Sequence, residues 1–359
     1  MKKKLTFLGI ETSCDETAAA IVQEKTDGTA KILSNVISSQ IHKHNKYGGV
    51  VPEIAARTHL ENIEFIINKA VKESKYKLDE IDGIAVTAGP GLIVCLTVGL
   101  NTAKTIAGFL KKPFVAVNHL EGHALSPGLE TNLKYPFLLL LISGGHSQYL
   151  IVKGINNYVQ LGTTIDDALG EAYDKVAKML GLNYPGGPSI EKFALNGNKK
   201  KFKLPRPIIN KAGCNLSFAG LKTAVLREVR GNKIDNSFKE NMAASFQNTI
   251  TEILKVKSQV AMDLFEKETK KSGGVFVVAG GVAANKEIRK NLEKVSKFRR
   301  FKTLFPDQKL CGDNAAMIAW AGIKRFKKKL IDNFDIAPKS RWQLDSTAPY
   351  MKGPGLKLK

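Results

Sequence analysis

The chain repeats one arrangement of elements, and that repeat limits its fold more than any other feature. Residues 5–10 are an apolar run that reads as a strand, followed by the polar turn Glu11-Thr12-Ser13-Cys14-Asp15-Glu16-Thr17 and a second strand at 18–22. Residues 31–38 supply a third. Ile54, Ala55, Leu60, Ile63, Ile66, Ile67 and Ala70 fall at helical spacing and predict a helix over 52–75. A strand at 83–87 leads through Gly89-Pro90-Gly91 into a helix of small and apolar residues at 94–110. The order then recurs, with strand 136–142, turn Ser143-Gly144-Gly145-His146-Ser147, strands 148–152 and 158–162, and a helix over 167–180. After an insertion come a strand at 275–279, the turn Gly280-Gly281, a helix from Asn285, a strand at 301–305 and a closing helix over 314–329.

Two copies of one α/β topology predict a bilobed fold with a central cleft, the layout of the actin, hexokinase and sugar-kinase type. The expected boundaries are 1–117 for the first lobe, 118–325 for the second and 326–359 for the end of the closing helix and a basic tail. The second lobe would carry the His119 region and a mostly helical insertion at about 182–270. Within that insertion 184–211, rich in Gly, Pro and Lys, reads as loop, and 216–229 and 238–267 read as helices.

Hydrophobic content of 43% with 25% charged residues is that of an ordinary globular chain. Cys14, Cys95, Cys214 and Cys311 lie far apart with no CxxC pair, which argues against a zinc knot or disulfide scaffold and fits a reducing compartment. The apolar run before Glu11 is too short for a signal peptide, and no segment reaches the ~18 apolar residues of a membrane span. The expectation is a cytoplasmic protein. Fifty-five Lys and Arg against 33 Asp and Glu leave a net charge of +22. The excess gathers at Lys199-Lys200-Lys201-Phe202-Lys203, at Arg299-Arg300-Phe301-Lys302 and at Lys324-Arg325-Phe326-Lys327-Lys328-Lys329. That balance points to a polyanionic partner, nucleic acid above all. A codon bias toward lysine would leave the same mark.

Two of only six histidines fall in His119-Leu120-Glu121-Gly122-His123. On a helix, i and i+4 share a face with Cβ atoms about 5–6 Å apart, close enough to grip one metal ion. Capping or surface histidines would show the same spacing. A zinc protease needs H-E-x-x-H, whereas Glu121 lies about 200° round the helix from either histidine and cannot be the base. Asp313 is either the N-cap of the closing helix or a third ligand, completing a two-His-one-carboxylate set that suits iron(II) and can hold zinc. Ser143-Gly144-Gly145 is either a tight turn or a backbone cradle for an anion, because glycine removes the Cβ obstacle. Gly280-Gly281 repeats that device before a helix N-terminus, with Asn285 as cap or ligand. Tyr184-Pro185-Gly186-Gly187-Pro188 is a further glycine-rich candidate. The remaining acidic candidates are Asp15, Glu16, Asp166, Asp167, Glu171 and Asp174, with Asp167, Glu171 and Asp174 placed to line one acidic helix face.

Together these motifs, with Gly9-Ile10 before the first turn, Tyr47-Gly48-Gly49-Val50-Val51-Pro52-Glu53, Gly89-Pro90-Gly91-Leu92, Asp166-Asp167-Ala168-Leu169-Gly170-Glu171-Ala172-Tyr173-Asp174-Lys175 and Phe218-Ala219-Gly220-Leu221-Lys222-Thr223, resemble the tRNA threonylcarbamoyladenosine transferase family. The match runs from about residue 5 to residue 327. The resemblance implies a duplicated actin-like (ASKHA) fold. It also implies an acyltransferase that moves a threonylcarbamoyl group from threonylcarbamoyl-AMP to N6 of adenosine 37, just 3′ of the anticodon, in tRNAs reading codons that start with adenine. Metal ligands then fall on His119, His123 and Asp313, for one divalent ion per subunit, iron(II) before zinc. Substrate contacts fall on Leu141, Ile142, Ser143, Gly144, Gly145, Asp174, Gly187 and Asn285. A paralogous actin-like protein and a small ATPase are the implied partners, with no membrane. Asn118 departs from the family, where another His is common, and the tail Gly353-Pro354-Gly355-Leu356-Lys357-Leu358-Lys359 runs past its core. The donor is an activated mixed anhydride and needs no protein nucleophile. Asp15 is the candidate to orient or deprotonate the attacking amine. A metalloprotease and a small-molecule kinase of the same fold are the competing functions.

Overall fold

A computed structural model describes residues 4–349 of the chain, so the tail that begins at Gly353 lies outside the described residues. In chain order the elements are β1 (Thr6–Glu11), β2 (Glu16–Glu24), β3 (Ala30–Ser39), α1 (Ile41–His44), α2 (Pro52–Ser74), β4 (Gly83–Gly89), α3 (Ile93–Leu110), β5 (Phe114–Asn118) and α4 (His119–Leu125). They continue with β6 (Phe137–Ile142), β7 (Ser147–Gly154), β8 (Asn157–Thr163), α5 (Leu169–Met179), α6 (Gly186–Ala194), α7 (Ala219–Gly231) and α8 (Asn236–Thr269). The last are β9 (Gly274–Ala279), α9 (Lys286–Phe298), β10 (Phe301–Leu304) and α10 (Ala315–Lys327).

Two compact units result. Residues 4–134, Gly154–Asn157 and Pro306–Ser346 form the first. Its five-stranded sheet runs β3-β2-β1-β4-β5, antiparallel across β1, β2 and β3 and parallel from β1 through β4 to β5. Side chains alternate across a strand, and both faces here are apolar. Leu8, Ile10, Ile21, Ile84 and Val86 meet α2 and α3 on one side, while Phe7, Ala20, Ala85, Val115 and Val117 meet α10 on the other. Strands β1, β4 and β5 are therefore continuously buried rather than half polar. The segment after α10 lacks regular structure yet is tied to this unit. Lys339 N–H donates to Ala88 O at 2.8 Å, Gly91 N–H to Ser340 O at 3.3 Å, and the Asn118 side chain to Trp342 O at 2.9 Å.

The second unit, Tyr135–Lys153 and Tyr158–Phe305 with residues 347–349, repeats the plan. Its sheet runs β10-β9-β6-β7-β8, with β6 antiparallel to β7 and parallel to β9, and β9 parallel to β10. All six residues of β6 are buried. The 34-residue helix α8 packs on β6, α6 and α9. Duplication and helical insertion are thus both present.

Four sequence readings are corrected. Residues 118–134 and 306–346 belong to the first unit rather than to a second lobe at 118–325, because α10 packs on β1, β2 and β4. Part of 184–211 is helix α6: Pro188 sits in its first turn, where a missing N–H costs nothing, and Ile190 gives it a buried face. Asp167 precedes α5 instead of joining an acidic face; it is buried and bound by Lys175 at 2.9 Å and Lys222 at 2.6 Å. Finally α3 is, among the described residues, one helix long and apolar enough to cross a membrane. Here it seats Cys95, Leu96, Leu100, Ala103 and Ala107 against the first unit.

The α10–β1 contact is tight enough to need glycine. A Cβ on Gly9 would run into the backbone of Ala315 and Ala319. Gly9→Ala is expected to lower stability by about 1–3 kcal/mol through overpacking, as measured by denaturant unfolding.

Candidate functional site

Strand β5 ends at Asn118, whose Oδ1 accepts the Leu120 N–H at 2.9 Å and caps α4. At the position where the family commonly has another His, Asn118 thus serves as a cap. All of α4 is buried, and His119 and His123 lie one turn apart with perpendicular rings 4.7 Å between centroids. The cap of α10 is Asn314, which accepts the Met317 N–H at 3.0 Å. Asp313 is therefore not the cap. Its Oδ1 lies 3.0 Å from His123 Nε2 and 3.4 Å from His119 Nε2. An ion bonded at about 2.0–2.2 Å keeps its ligands about 3–3.5 Å apart, so the donor set fits a metal. Glu121 faces elsewhere: its Oε2 binds Arg325 at 2.9 Å and its Oε1 accepts the Asn156 N–H at 3.1 Å. A carboxylate so engaged is no protease base.

The β1–β2 turn closes on the same cluster. Ser13 Oγ lies 3.3 Å from His119 Nδ1, and Glu11 Oε2 lies 3.0 Å from it. His59 holds the turn, donating from Nε2 to Cys14 O at 3.0 Å while Nδ1 accepts from the Thr17 hydroxyl at 2.7 Å. Asp15 is buried in this turn, and its carbonyl accepts the Gln40 N–H. Burial, then the Asp15 carboxylate, push the neighbouring Glu16 carboxyl well above the usual range. Burial opposes charge on Asp313, but His119 and His123 outweigh it and hold that carboxyl well down. Burial likewise opposes the His119 imidazolium, yet Asp313 and Glu11 raise its pKa well above the ordinary value. Loading a cation on His119 therefore means expelling a proton.

The second unit carries a pocket of about 260 Å³. Gly144, Asp174, Gly187 and Asn285 line it, four of the eight expected substrate contacts. Leu141 and Ile142 are wholly buried in β6, so only their backbone could reach a ligand. Ser143 Oγ accepts the His146 N–H, and Gly145 lies outside the lining. Asn285 both caps α9, accepting the Ile288 N–H at 3.0 Å, and donates to Gln247 at 2.8 Å. Asp174 accepts the Gly186 N–H at 2.7 Å. A Cβ on Gly144 or Gly187 would meet nothing within 4 Å, so these glycines leave room for a ligand beside the backbone. Gly170 is different: its Cβ would sit 2.7 Å from Ser143 O, so it lets the 143–145 turn close on α5. Gly281, from the glycine turn read as an anion cradle, also lines the pocket, as do Tyr173 and Glu191, which were not anticipated. Glu191 lies one helical turn after Gly187, a relation hidden while 184–211 read as loop.

Two sheets of one strand order, each with this α/β layering, define the actin-like (ASKHA) class. Full-length HypF in its phosphate- and nucleotide-bound form shares the fold at TM-score 0.58 and 14% identity, over 91% of this chain and 47% of that one. Component A of the Acidaminococcus fermentans (R)-2-hydroxyglutaryl-CoA dehydratase shares it at 0.51 and 14%, over 89% and 98%. A family model, TsaD: tRNA N6-adenosine threonylcarbamoyltransferase, matches residues 31–320, and the chain belongs to that family. A relative of that name from Pelagibacter ubique is 55% identical over 100% of both chains, and one from Brucella anthropi is 50% identical over 98% of both.

His119→Ala should abolish metal binding with the fold intact, and metal analysis after reconstitution checks this. Unchanged stoichiometry would remove these three ligands. Gly144→Val should weaken adenylate binding at least tenfold while leaving the melting temperature within a few degrees, because the added carbons enter open space. Equal losses of both would make the glycine a turn residue only.

Proposed function

We propose that the protein transfers a threonylcarbamoyl group from threonylcarbamoyl-AMP to N6 of adenosine 37 in tRNA. The observation that carries this is full-length identity of 50–55% to transferases of that name. The His-His-Asp cluster and the glycine-lined pocket supply matching chemistry. N6 attacks the carbonyl carbon of the mixed anhydride, the bond from that carbon to the phosphate oxygen breaks, AMP leaves and the amine loses a proton. No protein nucleophile is needed. The backbone at Gly144 and Gly187 gives phosphate or ribose close access, and Asp174 and Asn285 add polar contacts. Asp15 is the candidate to orient or deprotonate the amine, a poor nucleophile for which positioning outweighs base strength.

His119, His123 and Asp313 would hold one divalent ion, iron(II) by ligand type, with zinc also suited to the set. When bound, such an ion supplies a Lewis acid that polarises an oxygen. Family membership supports a paralogous actin-like partner, a small ATPase and a cytoplasmic setting where tRNA is met.

Incubation with labelled threonine, bicarbonate, ATP, tRNA and the enzyme that makes the adenylate tests the reading. Label on adenosine 37 supports it, and label left in adenylate or free threonine sinks it. The tRNA surface should lie in part on 199–203, where the lysines are exposed while Phe202 packs on Phe238. Changing Lys199, Lys200, Lys201 and Lys203 to Ser should weaken tRNA binding and flatten its salt dependence by roughly 0.7–0.9 log units per lost contact per decade of salt. Adenylate binding should not change. An unaltered slope would make this segment a solvated loop.

A further inference from the structure

The last residue of β1 is a carboxylate in the dry interior of the first unit. Glu11 has no exposed surface, and no motif of metal ligands or substrate contacts includes it. Both of its carboxylate oxygens are engaged. Oε1 accepts the Ser13 N–H at 2.5 Å, and Oε2 accepts the Thr87 hydroxyl at 2.5 Å and lies 3.0 Å from His119 Nδ1. Glu11 and Thr87 sit on neighbouring parallel strands, β1 and β4, both fully buried. The carboxylate is thus held from two sides before it meets the imidazole.

A carboxylate with two acceptor oxygens fixes the ring it faces. It accepts a hydrogen bond from His119 Nδ1–H, which leaves Nε2, on the side of Asp313 Oδ1, as the nitrogen that can exchange its proton for an ion. Metal-bound histidines are commonly oriented by such a partner on the other nitrogen. His123 shows no such partner among the described residues, where its buried Nδ1 makes no hydrogen bond. The two histidines are therefore unequal.

We propose that Glu11 is a positioning residue that fixes the tautomer and plane of His119, so that His119 is the anchored ligand of the metal site and His123 the adaptable one. This rests on the reading of His119, His123 and Asp313 as metal ligands. Glutamine at position 11 is the informative change because it keeps the volume and removes one acceptor. If its amide NH2 faces Ser13, two donors oppose each other. If it faces His119, the ring must carry its proton on Nε2, toward the ion.

The test is cobalt(II) and zinc(II) binding to the metal-free full-length protein, measured by competition with a chelator. Glu11→Gln should weaken both ions about ten- to a hundredfold while stoichiometry stays unchanged. Thr87→Val, which removes only the brace behind Glu11, should weaken them by a smaller factor. In the zinc-loaded wild type, nitrogen NMR of the histidine rings should show His119 bound through Nε2 with a proton on Nδ1. That observation needs no variant to fold. Zinc on Nδ1 of His119, or affinities within twofold of wild type in a folded Glu11→Gln protein, would overturn the proposal. Failure of the ligand reading looks different: the wild type would bind no ion, or Asp313→Ala would bind as tightly as wild type.

Discussion

Helix α4 and helix α10 are held together by a charge pair that water hardly touches. Glu121 is 1% exposed and Arg325 7%, and they meet at 2.9 Å. Such a pair gains little over well-packed apolar residues, but removing one partner strands the other charge and is strongly destabilising. Next to it the helices come so close that a Cβ on Gly122 would lie 2.8 Å from Ile318 Cδ1. The two contacts fix where α4 stands against α10, and with it where two imidazoles stand against Asp313. The protease-like appearance of the histidine pentapeptide therefore has a structural answer, because its glutamate is spent on packing.

Glycine has two opposed uses in the second unit. At Gly170 and Gly280 the neighbouring backbone occupies the space where a side chain would be, and Gly280 also has φ +95°, in the region that favours glycine. At Gly144 and Gly187 the same space is open. The first kind brings segments together so that the second kind can border a hollow. Sequence shows both as glycine.

What could be read from sequence follows the range of the interactions involved. The repeated strand and helix pattern depends on local periodicity, and its order survives in both sheets. The histidine pair was readable because both residues sit on one helix. Asp313 was ambiguous until Asn314 took the cap, a choice between adjacent residues that composition does not make. Glu11 gave no sign of its environment, since its partners Thr87 and His119 are 76 and 108 residues away. The division at 117/118 failed for the same reason: a repeat marks where copies begin and end, whereas α10 belongs with the strands it covers.

The same long range sets a condition on biosynthesis. His119 and Asp313 lie far apart in the coding order, and His123 is 190 residues from the carboxylate it approaches. A ribosome has therefore made both sheets before the final donor atom exists. A chain released before Asp313 has the residues of both sheets, those that line the hollow of the second unit and both imidazoles, but it lacks Asp313 and the α10 that covers Phe7 and Val117. Binding at all three donors therefore has to follow synthesis of β10.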